Sequence, residues 1–211
     1  MSVPNRHREA RYDRTHRDRN RAGRHVLYVW GMVSWMVLPW HNATLNERPN
    51  EAAARTLIAP TIGGKPDVYY FPKMPTDWND QEAMNAYRKV HEQGPVGFIF
   101  AQPGRPVMPP STFAVGVATN LASALLASLL LAAASASLRS YPARVIFVAG
   151  LGVLIAVTTH VPLWNWMHFP TDYSIVMFLD SIAAFVLAGI VIAAVVKRRA
   201  PAASESGEPP A

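Results

Sequence analysis

The chain has 211 residues, of which 50% are hydrophobic, no cysteine and a formal net charge of +6. Disulfides, thiolate metal sites and cysteine nucleophiles are therefore excluded. The charge is uneven: residues 1–25 carry eight arginines (Arg6, Arg8, Arg11, Arg14, Arg17, Arg19, Arg21 and Arg24) against Glu9, Asp13 and Asp18, while residues 42–111 carry seven basic and seven acidic side chains.

In chain order, the Arg-rich tail 1–25 reads as a cytoplasmic arm drawn to anionic lipid head groups or to a partner's cytoplasmic face. Nucleic acid is not expected there, because only Tyr12 is available to stack on a base. Residues 26–41 follow as a first transmembrane helix, with Trp30 and Trp35 inside it and Leu38-Pro39-Trp40-His41 closing it. This span is short of the ~20 residues that cross a bilayer core, so local thinning is needed to accommodate it. The tail is too long, and no small-residue cleavage site follows, for a signal peptide.

Residues 42–112 are polar enough to be aqueous and small enough to need support from a neighbour. Asn50 and Pro60 bound a short helix, Val68–Phe71 reads as a strand, Thr76–Gln93 as a helix ended by Gly94, and Val96–Phe100 as a second strand. Pro103, Pro106, Pro109 and Pro110 then make a stiff lead into the membrane. Three long apolar runs follow at 113–138, 145–164 and 173–196, each sufficient to cross. A polar tail, 197–211, ends the chain.

Lys and Arg gather on the cytoplasmic side of membrane proteins. The N-terminal tail, the 139–144 turn (Arg139, Arg144) and Lys197-Arg198-Arg199 are basic, whereas the 165–172 turn is not. The expected fold is thus membrane all-α, with four transmembrane helices, both termini cytoplasmic, and a small α+β extracytoplasmic cap between helices 1 and 2. A bacterial inner membrane with a periplasmic cap fits this arrangement.

Two aromatic-proline knots, at 38–41 and 161–170, fall at the outer ends of the spans. Trp prefers the membrane–water interface, so Trp35, Trp40, Trp164 and Trp166, with His41, His168 and Phe169 beside them, are expected to form an interfacial rim open to a partner. Below this rim, Ser34, Asn120, Thr158, His160 and Asp180 fall at similar depth, roughly 6–12 Å in by helical rise. Two readings of this polar layer stay open. In one, Asp180 bonds Ser34, Asn120 or Thr158 and His160 closes an interhelical ring that fixes register. In the other, the layer is a proton or ligand site open to the outer face.

Haem or pigment ligation would fall to His41, His160 or His168, but no pair has the i, i+4 spacing of a helical two-histidine site. No cofactor or metal is expected, and bound lipid is. Asp67, Asp77, Asp80, Glu82 and His91 in the cap have the spacing of a solvated helix face rather than of a catalytic set.

The run Trp30-Gly31-x-x-Ser34-Trp35-Met36-Val37-Leu38-Pro39-Trp40-His41, with Pro49-Asn50-Glu51, Gly94-Pro95-Val96-Gly97 and Trp164-Asn165-Trp166-x-x-Phe169-Pro170-x-x-Tyr173, resembles a group of uncharacterised bacterial four-helix membrane proteins. The resemblance covers residues 26–196. It implies topology and no chemistry.

The expected function is that of a non-catalytic accessory subunit, stabilising or anchoring a larger membrane complex of the photosynthetic or respiratory electron-transfer type together with other membrane protein subunits. The alternative is a small proton or solute transporter, or a channel-like protein, built on the Asp180 layer.

Overall fold

The computed structural model describes residues 25–47, 50–60, 62 and 64–196. The arginine tail and residues 197–211 lie outside these residues.

Residues 25–36 form the helix α1. A 3₁₀ turn, Asn42–Thr44, follows, then α2 (Glu51–Ile58), β1 (Asp67–Phe71), α3 (Gln81–Gln93), β2 (Gly97–Ala101) and three long helices: α4 (Pro110–Ala134), α5 (Tyr141–Trp166) and α6 (Thr171–Val195). The protein is mostly helical. Among the described residues, α4, α5 and α6 are the three helices long and apolar enough to cross a membrane. At 1.5 Å per residue their 25 or 26 residues give roughly 38 Å. The helical part of the first run is shorter than the 26–41 expected, because Pro39 cannot donate to a helix and biases Leu38 away from helical geometry. The chain instead unwinds at Val37 and Leu38, whose amides both reach Val33 O at 3.0 Å.

The cap follows the sequence pattern with shifted edges. Asn50 caps α2 by accepting from Ala53 N at 3.0 Å. β1 and β2 form one antiparallel pair in which Asp67 faces Ala101 and Phe71 faces Gly97. α3 starts at Gln81 rather than Thr76. Asp80 is its cap and accepts from Glu82 N and Ala83 N, whereas Asp77 turns back to Asn79 N. A capping carboxylate with two amides in reach outcompetes the earlier candidates. Gly94 ends the helix at φ 61°, a left-handed conformation that glycine takes at no steric cost.

α5 and α6 make the main helix pair, and α4 touches them far less. The reason lies in two glycines. A Cβ on Gly152 would stand 2.5 Å from Phe185 Cβ, and one on Gly189 would stand 2.9 Å from Val145 O, so these residues let the two backbones close together. Small residues alone did not locate this contact: α4 is the helix richest in Ala and Ser, yet it packs more loosely. The buried core lies at the end of the bundle away from the cap, where Leu27, Ala127, Leu131, Val148 and Ile192 meet. There the Arg144 guanidinium donates to Val196 O, just past α6, and Tyr141 Oη donates to Ile190 O at 2.8 Å, tying the start of α5 to the end of α6.

At the opposite end, α5 runs through Pro162 to Trp166 instead of stopping near 164. Proline removes one helical hydrogen bond, but the final turn is held from outside: Trp164 Nε1 donates to Thr171 Oγ1 at 3.1 Å. The cap rests on this end. Phe100 of β2 lies 6.3 Å from Phe169, and His91 of α3 lies 5.6 Å from His168. Phe169→Ala is expected to loosen the cap by about 1 kcal/mol, the size of an aromatic pair. Faster proteolysis within residues 42–109, with α4–α6 left protected, is the result to look for.

Candidate functional site

The site is built where the chain folds back over the end of α1. Trp30 and Ser34 stand four residues apart and so share one helix face. That face meets α6 at Asp180. Trp30 Nε1 donates to Asp180 Oδ1 at 2.8 Å, and Ser34 Oγ donates to the same oxygen at 2.7 Å. Beyond Pro39 the chain reverses, with Ala43 N bonded to Pro39 O, and this reversal carries Trp40 and His41 back onto Ser34. Trp40 Nε1 reaches Ser34 Oγ at 3.0 Å and Ser34 O at 3.2 Å, while His41 Nε2 lies 2.9 Å from Ser34 Oγ.

Counting donors settles the roles. A serine hydroxyl has one hydrogen and two lone pairs. Ser34 spends its hydrogen on Asp180, so it accepts from Trp40 Nε1 and from His41 Nε2. His41 therefore carries a hydrogen on Nε2. Its Nδ1 is buried with no hydrogen-bond partner, which favours the neutral ring, since an imidazolium would leave a second N–H unsatisfied. Ser34 and His41 are 0% and 1% exposed. Trp35 stacks on the His41 ring with centroids 3.9 Å apart and planes at 6°, and Trp30 and Trp40 meet edge to face at 6.1 Å.

Serine, histidine and aspartate thus meet, but not with the wiring of a hydrolytic triad. In a triad the carboxylate holds the ring nitrogen opposite the one that meets serine. Here Asp180 Oδ2 stands 3.6 Å from His41 Nε2, the nitrogen already on Ser34.

A second pin lies alongside. His160 Nε2 is 2.9 Å from Ser181 Oγ, whose hydrogen goes to Met177 O at 3.1 Å. Ser181 is therefore the acceptor, and α5 is tied to α6 one residue after Asp180. The expected closed ring is not formed. Asn120 donates to Gly116 O at 2.8 Å and Thr158 to Leu154 O at 2.7 Å, each within its own helix. Their side chains reach the local i−4 carbonyl before any neighbour, as short polar side chains in helices do. His160 meets Ser181 rather than Asp180. What the structure adds is Trp30 from within α1, Trp40 and His41 brought from the rim into the layer, and Ser181. The Trp30–Ser34 spacing was the available signal for the first of these.

The remaining rim residues diverge. Trp164 is bonded to Thr171, Trp166 is 74% exposed, and His168 and Phe169 carry the cap. In the cap, Asp67, Asp77 and Asp80 are used on backbone amides, and His91 packs between Tyr87 and His168. Among the described residues, no three His, Asp or Glu side chains converge as a metal set would require. The eight tail arginines lie outside the described residues.

The class that fold and site define is a helical protein with three helices long and apolar enough to cross a membrane, carrying a small capped sheet at one end and a buried polar tie between the first and last helices. No protein-family model matches the chain, and no curated protein or solved structure is significantly similar to it.

Proposed function

We propose that the chain is a non-catalytic accessory subunit of a larger membrane complex. In this reading α1 crosses the thinned bilayer with α4, α5 and α6, both termini are cytoplasmic, and the cap stands on the outer side of a bacterial inner membrane. The carrying observation is the state of α4. It lies lightly on the α5–α6 pair, and Val115, Leu125, Leu126, Leu129 and Leu130 along it stay exposed. A long helix so thinly covered by its own chain is suited to a neighbouring subunit or to tightly held lipid. The polar groups, in contrast, are largely used internally, on pins and caps. The basic tail suits anionic head groups, and an electron-transfer assembly is the class of complex to test first.

Extraction in a mild detergent followed by native electrophoresis is the test. Migration well above the monomer, with the same companion subunits recovered on a tagged chain, is expected. A free monomer under every mild condition overturns the reading. One observation favours the alternative of a small proton or solute transporter: among the described residues Asp180 Oδ2 makes no hydrogen bond, and the Asp180 side chain is 15% exposed. Proton or solute flux in liposomes that is lost in Asp180→Asn would select it.

A further inference from the structure

A cavity of about 480 Å³ opens between α1, α4, α5 and α6 beside the Asp180 tie. It exists because α4 stands off from the α5–α6 pair. Its walls are largely apolar and aromatic, including Trp30, Phe113 and Phe185, and its polar groups include Asn120, Ser123 and Asp180. Among the described residues, no lysine, arginine or histidine lines it. As a carboxylate, Asp180 supplies the formal charge on these walls.

That carboxylate is used on one side only. Oδ1 accepts from Trp30 and Ser34, while among the described residues Oδ2 has no hydrogen bond and His41 Nε2 stands 3.6 Å from it. The unpartnered Nδ1 of His41 favours the neutral ring, which does not balance the charge. Asp180 is 15% exposed, and it lines the cavity. Asn120 has used one N–H on Gly116 O, which leaves its carbonyl oxygen as an acceptor. Its second N–H and the Ser123 hydroxyl are donors, so the charged group left over is Asp180 Oδ2, set among aromatic rings and hydrocarbon. A carboxylate in such surroundings is stabilised by a counter-charge that is itself poorly hydrated, and aromatic faces favour the same kind of cation.

We infer that this cavity binds a hydrophobic monocation, an ammonium-headed molecule whose charge meets Asp180 Oδ2 and whose apolar part fills the space between α1 and α4. The site is independent of whether the chain acts as a subunit or a transporter.

The test uses the full-length protein in nanodiscs of zwitterionic lipid. Phenyltrimethylammonium and its neutral isostere tert-butylbenzene are titrated by calorimetry, so that shape is constant and only charge differs. The cation is expected to bind at least tenfold more tightly than the neutral molecule. Asp180→Asn keeps an acceptor for Trp30 and Ser34 and is expected to abolish that preference while leaving the neutral isostere unchanged. Gly31→Phe gives a second arm that leaves Asp180 in place. Gly31 lines the cavity, and a Cβ there meets nothing within 4 Å, so the ring fills the space and both ligands are expected to lose binding. Equal affinity for the two probes, no saturable binding of the cation, or cation binding unchanged in Gly31→Phe overturns the inference, whichever way Asp180→Asn folds.

Discussion

Asp180→Ala is expected to destabilise the protein by about 2–4 kcal/mol, and Asp180→Asn by much less. The alanine leaves Trp30 Nε1 and Ser34 Oγ without the acceptor they share. Each orphaned donor costs roughly 1–3 kcal/mol when buried, and somewhat less between membrane helices, where alternative partners exist. Ser34 has little alternative, because Trp40 and His41 already donate to it. Its remaining outlets are a carbonyl of its own helix and His41 Nε2 after a tautomer shift. Asparagine supplies an oxygen in the same position and keeps both bonds. Unfolding in mixed micelles titrated with a denaturing detergent measures the difference. Equal losses for alanine and asparagine would show that the charge, and not the acceptor, holds α1 to α6. A Ser34→Ala/Asp180→Ala double-mutant cycle is expected to show strong coupling, since the two residues form one bond.

Substituting the two glycines between α5 and α6 is the other large expected effect. Gly189→Ala places a methyl group 2.9 Å from Val145 O and 3.3 Å from Val148 Cβ, and Gly152→Ala places one 2.5 Å from Phe185 Cβ and 3.1 Å from Ser181 O. Two of these neighbours are backbone oxygens, which cannot rotate aside, so the helices must separate. Overpacking of this kind costs typically 1–3 kcal/mol. Gly116→Ala and Gly150→Ala are the controls, because a Cβ at either position meets nothing within 4 Å, and each is expected to be neutral or slightly stabilising through helix propensity. Thermal unfolding of the four variants separates the pairs. Gly152→Ala carries a second consequence: Ser181 is the partner of His160, so separation there also lengthens the α5–α6 pin. If all four variants unfold alike, the close approach of α5 and α6 is not what holds the bundle.

How far the site could be read from sequence follows from the range of each interaction. Asp180 and Ser34 were legible as a layer because depth along a helix is a matter of counting residues. Their pairing was not, because 146 positions separate them. Asn120 and Thr158 fell at the same depth but bonded to their own helices, a choice set by side-chain rotamer and rotation about the helix axis, which counting does not supply. His41 looked like an interfacial anchor and proved buried, because Pro39 turns the chain inward over α1 rather than outward along the surface.

The sequence by itself determined the long apolar helices, the helix–strand–helix–strand order of the cap and its main capping residue types. These depend on composition, local periodicity and the chemistry of proline, glycine and short polar side chains. Tertiary structure alone decided which glycines bring helices together, which polar residues meet across the bundle, and that α4 stands off to leave a cavity beside Asp180. Those outcomes depend on the rotation of each helix about its own axis. That rotation is set by packing against neighbours distant in sequence and leaves no trace in local pattern.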